Sequence, residues 1–190
     1  MSQVATLRSA VFPRATTYSK ALLITVGAMF IAGLAQIALP IPGSPVPITG
    51  QTLGVLLVGA GYGSTLGLST LVTYLLIGIA GAPVFAQGAH GLAKLTGPTG
   101  GYLIGMLFAS LLVGALAGRR WDQKLRSAIP AMLLGDIVIF SFGLYWLHAY
   151  THQSWSWTIA AGFTPFLIGE ALKIAIAGTS LPLVWRLVQR

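Results

Sequence analysis

The sequence predicts an all-α integral membrane protein with six transmembrane helices, both termini cytoplasmic, and an ordered Gly/Pro-rich external loop between helices 3 and 4. Three observations carry that prediction. Apolar residues make up 55% of the chain and charged residues only 7%, where an ordinary soluble domain has roughly 25% charged; mean hydropathy is +0.83. A helical crossing needs about 20 residues, so 190 residues hold about six crossings in a single membrane domain, 1–190, with little left over. The basic residues also sort by side. With the N-terminus inside, Arg8, Arg14, Lys20, Arg119, Arg120, Lys124, Arg126, Arg186 and Arg190 fall on the cytoplasmic side, Lys94 alone lies outside, and Lys173 lies within a span, which is a strong positive-inside bias. The net charge of +8 therefore reports topology, and no nucleic-acid partner is expected. Cysteine is absent, so there is neither a disulfide framework nor a thiolate site, and the redox compartment stays open.

Residues 1–20 read as a cytoplasmic lead-in, without the apolar core or cleavage pattern of a signal peptide. Span one covers about 21–39 and is closed by Pro40 and Pro42. Its small residues, Ala28 and Ala32 among them, recur at four-residue spacing and let helix backbones approach closely. They serve either packing within the bundle or docking of a partner subunit. Pro42, Pro45 and Pro47 make 41–50 an external cap. Span two, about 47–61, is short for a crossing, with its first turn drawn back to Pro47. Span three, about 63–80, follows a small-residue turn. Glycines at 81, 88, 91, 97, 100 and 101 and prolines at 83 and 98 then exclude an ordinary membrane helix. Non-helical backbone at membrane depth is tolerated where protein buries it or it lines a watery cavity, so this loop is expected to fold back over a site. Its GPTGG stretch lacks the preceding strand and the Gly-Lys-Ser/Thr ending of a phosphate loop.

Span four, about 101–118, ends in the basic cluster. Span five, about 128–149, contains Asp136 and closes with Tyr145, Trp146, His148 and Tyr150, an interfacial aromatic belt. Span six, about 164–187, takes Thr164 as N-cap and Pro165 at its first position. It carries Glu170 and Lys173, three apart and so on one helical face. An ionisable group on a helix in hydrocarbon costs roughly 2.5 to 3.5 kcal/mol. The pair is therefore either a self-satisfied structural clasp or the polar floor of a ligand site, roughly 8 to 12 Å inside the outer end of its helix. Enzyme chemistry is not expected: there is no Cys, and His90, His148 and His152 fall in external loops without a carboxylate or a third metal ligand nearby. No Walker motif is present, so the chain does not itself hydrolyse ATP. No repeated half with paired broken helices marks a self-sufficient carrier.

Four stretches in order, VPITGQTLG (46–54), GAPVFA (81–86), GPTGGYL (97–103) and PFLIGEALK (165–173), together resemble the biotin transporter family BioY, over nearly the whole chain. The resemblance implies the substrate-binding S component of an energy-coupling factor (ECF) transporter. Such a protein is multi-pass in the bacterial cytoplasmic membrane, binds biotin from outside, and works with a transmembrane coupling subunit and two cytoplasmic ATPase subunits. No cofactor is implied; biotin is the substrate. An S component for a different vitamin is the competing reading.

The last family motif usually carries Asp where Glu170 stands, followed by the Lys matched by Lys173. The extra methylene moves the carboxylate by about one bond and keeps its charge. Gln87 is matched to a ligand-facing polar position in the external loop. Ala28 and Ala32 resemble the alanine pattern by which S components dock on the coupling subunit. Biotin's ureido group offers two N–H donors and one carbonyl, so Glu170 can accept, Lys173 can donate and Gln87 can do either. Apolar walls for its rings and valeryl chain are expected from Phe85, Tyr102 and Trp146, each of which also reads as ordinary packing. Asp136 lies ten residues before Trp146, roughly 15 Å deeper, and is assigned a supporting or conformational role.

Overall fold

The computed structural model describes residues 6–14 and 16–188; Arg190, counted above among the cytoplasmic charges, lies outside them. The chain runs α1 (Leu7–Val11), α2 (Thr17–Gln36), a ribbon of β1 (Ala38–Leu39) and β2 (Ile48–Thr49), α3 (Gln51–Tyr62), α4 (Ser64–Ile79), α5 (Leu92–Thr96), α6 (Gly100–Gly118), α7 (Leu125–Thr151), α8 (Trp155–Gly162) and α9 (Leu167–Val188). Thr17–Gln36, Gly100–Gly118, Leu125–Thr151 and the stretch Trp155–Val188 are each long and apolar enough to cross a membrane; α3 and α4 are apolar but shorter.

Helix ends follow local chemistry. The Thr16 side chain accepts from Ser19 N and starts α2, four residues before the expected start of span one. Span two does not begin at Pro47. Ala38 and Leu39 pair with Thr49 and Ile48 in an antiparallel ribbon, Gly50 N donates to Ile37 O at 2.9 Å, and α3 starts only at Gln51. Gly63, at φ +82°, turns the chain directly from α3 into α4 in a conformation that favours glycine.

Thr164 does not cap the last helix. The preceding segment is itself helical: Ser154 accepts from Trp157 N to start α8. Thr164 Oγ1 then donates to Ile159 O, Thr164–Phe166 forms a 3-10 turn carrying Pro165, and α9 follows.

Ala28 and Ala32, expected either to pack within the bundle or to dock a partner subunit, are buried in this chain. They are 1% and 5% exposed and belong to the apolar core with Ile31, Val55, Leu71 and Tyr74. The small residues of α2 let α3 and α4 approach it. Its outward face carries Leu22, Val26, Met29, Phe30 and Ile37 instead.

The bundle has two dissimilar ends. At one, α1 packs on α3 and α9, and Trp185 near the end of α9 donates to Asp122 in the α6–α7 connection. The helix ends gathered there carry Arg8, Lys20, Arg119, Arg120, Lys124, Arg126 and Arg186. At the other end, the ribbon, the 81–99 segment and α8 are tied together. Ser44 Oγ donates to Ala161 O at 2.8 Å, and Gln36 Nε2 donates to the carbonyls of Val84 and Phe85.

Candidate functional site

Beneath that loop-covered end lies a cavity of about 510 Å³, a volume that includes space open to solvent. Its apolar wall is aromatic. Phe85 stands edge-on to Tyr74 with centroids 5.5 Å apart, and Phe140 stands edge-on to both Tyr102 and Phe166, at 5.7 and 5.6 Å. Phe85 is placed by Gly78: a β-carbon there would fall 2.2 Å from the ring, so only glycine lets the loop seat the ring against α4.

The polar floor is built where the N-terminus of α3 meets the first turn of α9. Glu170 and Lys173 are 5% and 9% exposed and paired at 2.6 Å. Thr52 Oγ1 donates to the other oxygen of Glu170 at 2.8 Å. Lys173 Nζ donates to Thr52 Oγ1 at 3.0 Å and to the carbonyl of Thr49. An ammonium has three donors, and these contacts use all of them. Beside this floor, Gln51 Nε2 donates to Tyr74 OH at 2.9 Å, and Tyr74 OH donates in turn to Val84 O at 3.0 Å. The relay runs from the floor to the covering loop. Lys94, half-buried at the start of the mouth, also lines the cavity; burial lowers its pKa.

The expected site residues divide in three. Glu170, Phe85 and Tyr102 line the cavity, and Lys173 holds Glu170 from behind. Trp146 does not line it; its indole N–H donates to Gly97 O at 2.9 Å and braces the loop from outside. Gln87 is exposed at φ 62° and away from the lining. The left-handed turn that reverses the chain there carries the amide outward. Asp136, 6% exposed, lines a second cavity of about 540 Å³ between α7 and α9 together with Glu170, with Phe140 and Phe166 forming the wall shared with the first. One of its oxygens has no hydrogen-bond partner among the described residues.

Phe140, Phe166 and Lys94 line the cavity without having been read as site residues, Lys94 having stood out only as the external charge; Gln51 and Thr52, which sit inside the stretch 46–54, were not so read either. Their one signal was a pair of polar residues opening an apolar helix. Among the described residues, no three His, Cys, Asp or Glu side chains are grouped to hold a metal.

Comparison with known proteins gives a consistent set of likenesses. A family model described as the BioY family matches residues 7–190. The chain is 38% identical to the biotin transporter BioY2 of Lactococcus lactis subsp. cremoris (strain MG1363), covering 84% of this chain and 87% of that protein. It is 34% identical to the biotin transporter BioY of Thermotoga maritima, covering 72% and 79%. The fold is similar to the crystal structure at 2.1 Å of the S-component for biotin from an ECF-type ABC transporter, with TM-score 0.80, 27% identity, and coverage of 93% of this chain and 95% of that one.

Proposed function

The chain belongs to the BioY family, and from that premise we propose that it is the biotin-binding S component of an ECF-type transporter, a carrier protein and not an enzyme. The observation that carries the reading is the Glu170–Lys173–Thr52 cluster at the floor of an aromatic-walled cavity. A ureido ring presents two N–H donors and one carbonyl at its polar end. Glu170 and the amide oxygen of Gln51 accept the former, and Thr52 or a displaced Lys173 N–H donates to the latter. Tyr102, Phe140 and Phe166 enclose the thioether ring and valeryl chain. Lys94 at the mouth meets the terminal carboxylate. Asp136 acts from behind the wall on the position of Glu170.

The same reading places six spans in the bacterial cytoplasmic membrane: α2, α3, α4, α6, α7 and the stretch from α8 through α9. The basic end faces the cytoplasm and the cavity faces outward. Energy comes from a transmembrane coupling subunit and two ATPase subunits, which dock on a surface other than Ala28 and Ala32. Titration calorimetry of the purified protein tests the substrate: tight biotin binding is expected, with no response to riboflavin or thiamine. A folded, ligand-free preparation silent to biotin would sink the assignment. Uptake of labelled biotin measured with and without the ATPase subunits tests the coupling.

A further inference from the structure

Far from the biotin cavity, at the basic end, a groove of about 850 Å³ runs between α2, α3 and α9, lined by Val26, Phe30, Leu57, Tyr62, Leu181 and Val184. A second cavity of about 350 Å³ lies under α1 and carries Arg8 in its wall; both cavities are bordered by Leu7, Gly61 and Tyr62, so they adjoin. Val26, Phe30 and Val184 are exposed although apolar, as a lipid-facing surface requires. At the head of this slot the Nε of Arg8 is buried without a hydrogen-bond partner among the described residues. A guanidinium presents a planar fork that matches two phosphate oxygens.

The surrounding charge has one sign. Lys20, Arg119, Arg120, Lys124, Arg126 and Arg186 sit on the helix ends gathered here, and the sole acidic side chain among the described residues at this end, Asp122, is 1% exposed and occupied by Trp185. One cation at the end of a long apolar slot is the complement of a polar head on an acyl chain. We propose that the slot binds one anionic phospholipid, its chain lying between α2 and α9 and its phosphate on Arg8. A zwitterionic lipid brings its own ammonium into a field that repels it and binds less well. The inference rests on the chain lying in a membrane and is independent of the biotin assignment.

Gly61 supplies a clean probe. It lines both cavities, and a β-carbon there meets nothing within 4 Å, so Gly61→Leu has room to start its side chain into the slot. Native mass spectrometry of the purified full chain, titrated with phosphatidylglycerol and with phosphatidylcholine of matched acyl chains, reads the site.

The parent is expected to retain one phosphatidylglycerol in preference to phosphatidylcholine. Arg8→Gln should reduce that retention roughly five-fold and leave phosphatidylcholine unchanged, while Gly61→Leu should remove both lipids. Biotin binding, at the opposite end, should persist in both variants and certifies their fold. If Gly61→Leu fails that check, Val26→Trp fills the slot from its exposed side and takes its place. Equal retention of the two lipids overturns the proposal, as does phosphatidylglycerol retention indifferent to both variants. Displacement of the lipid by glycerophosphate alone reduces the site to a phosphate contact and overturns it too. Loss of coupling-subunit co-purification in Gly61→Leu with lipid retention intact assigns the slot to a protein partner instead.

Discussion

The helix α9 carries a buried carboxylate arrangement near each end, and the two are built differently. At its first turn, Glu170 receives Lys173 on one oxygen and Thr52 on the other, and the same lysine spans to Thr52 and to the backbone of Thr49. Near its last turn, Trp185 reaches Asp122, whose one oxygen takes the indole N–H while the other has no partner among the described residues. Glu170 is ion-paired and doubly bonded beside a cavity; Asp122 takes a single side-chain donor, the neutral indole. Burial of an ionised carboxylate is tolerated when it is paired and otherwise drives it toward the neutral form. At Glu170 the ion pair with Lys173 and the bond from Thr52 meet that requirement. Asp122 acts as a clasp between the α6–α7 connection and α9.

The sharpest way to break this contrast is to remove the cation from the first site. Lys173→Ala leaves Glu170 uncompensated and frees Thr52 from its second contact. Truncating one partner of a buried polar contact commonly costs about 2 to 5 kcal/mol of binding, so biotin affinity measured by calorimetry should fall roughly 30-fold or more. The double change Glu170→Gln with Lys173→Met removes both charges and should restore thermal stability but not affinity. If the neutral variant bound biotin as well as the parent, Glu170 and Lys173 would be a clasp like Asp122, and the contrast would collapse.

At the other end the expected effect is on stability and on its pH dependence. Desolvation raises the Asp122 carboxyl to about 6, the Trp185 hydrogen bond opposing it. A raised folded-state pKa means that the native protein holds the proton more tightly than the unfolded chain. Stability is then fullest below the unfolded value near 3.8 and declines as pH rises through about 6. At one pKa unit per 1.4 kcal/mol, the loss is roughly 3 kcal/mol at most. Asp122→Asn keeps an acceptor for Trp185 and has no proton to lose. Its melting temperature should match the parent near pH 4 and exceed it at pH 7.5. Parallel parent and variant profiles would show that Asp122 is not the buried neutral acid described here.

What could be read in the sequence follows the same division between local and distant chemistry. The membrane class, the basic end and the pair at 170 and 173 are visible because composition, charge sorting and i, i+3 spacing are local properties. Partners 118 residues apart, as Thr52 and Glu170 are, leave no periodic mark. Neither does the 63-residue separation of Asp122 and Trp185. Gln87 drew attention as the amide in a glycine-rich loop, but the left-handed turn at that position points it outward, and the buried amide beside the floor is Gln51. Ala28 and Ala32 had the spacing of a docking stripe; a small-residue stripe does not say which neighbour it admits, and here the neighbours are α3 and α4. The helix α8 falls in the gap between the expected spans 128–149 and 164–187, and its Ser154 cap follows closely on the end of α7.

Within the first site, Thr52 tests whether the network or the ion pair alone matters. Thr52→Val preserves shape, deletes the donor to Glu170 and the acceptor for Lys173, and leaves Lys173 and Glu170 in contact. Leaving buried groups unsatisfied in this way costs about 1 to 3 kcal/mol, and because the ion pair survives the loss should lie at the lower end of that range. A decrease of roughly ten-fold in biotin affinity is expected. An unchanged affinity would mean that Glu170 and Lys173 suffice without Thr52.

The smallest effect belongs to the second lysine at the same end, and it separates charge from pairing. Lys94 is half-buried at the cavity mouth and, unlike Lys173, has no carboxylate partner among the described residues. Its role in the proposed site is to meet the substrate carboxylate where water still reaches. Exposed ion pairs are worth about 0.2 to 1 kcal/mol and are screened by salt, so Lys94→Met should weaken biotin binding by no more than about five-fold. That difference should shrink as ionic strength rises. Because burial lowers the pKa of Lys94, the parent should lose this contribution at a more moderate alkaline pH than an ordinary lysine allows, and the variant should show no such step. Biotin amidated at its carboxylate should bind parent and variant alike. A salt-independent loss as large as that of Lys173→Ala would place Lys94 in the buried network and erase the distinction between floor and mouth.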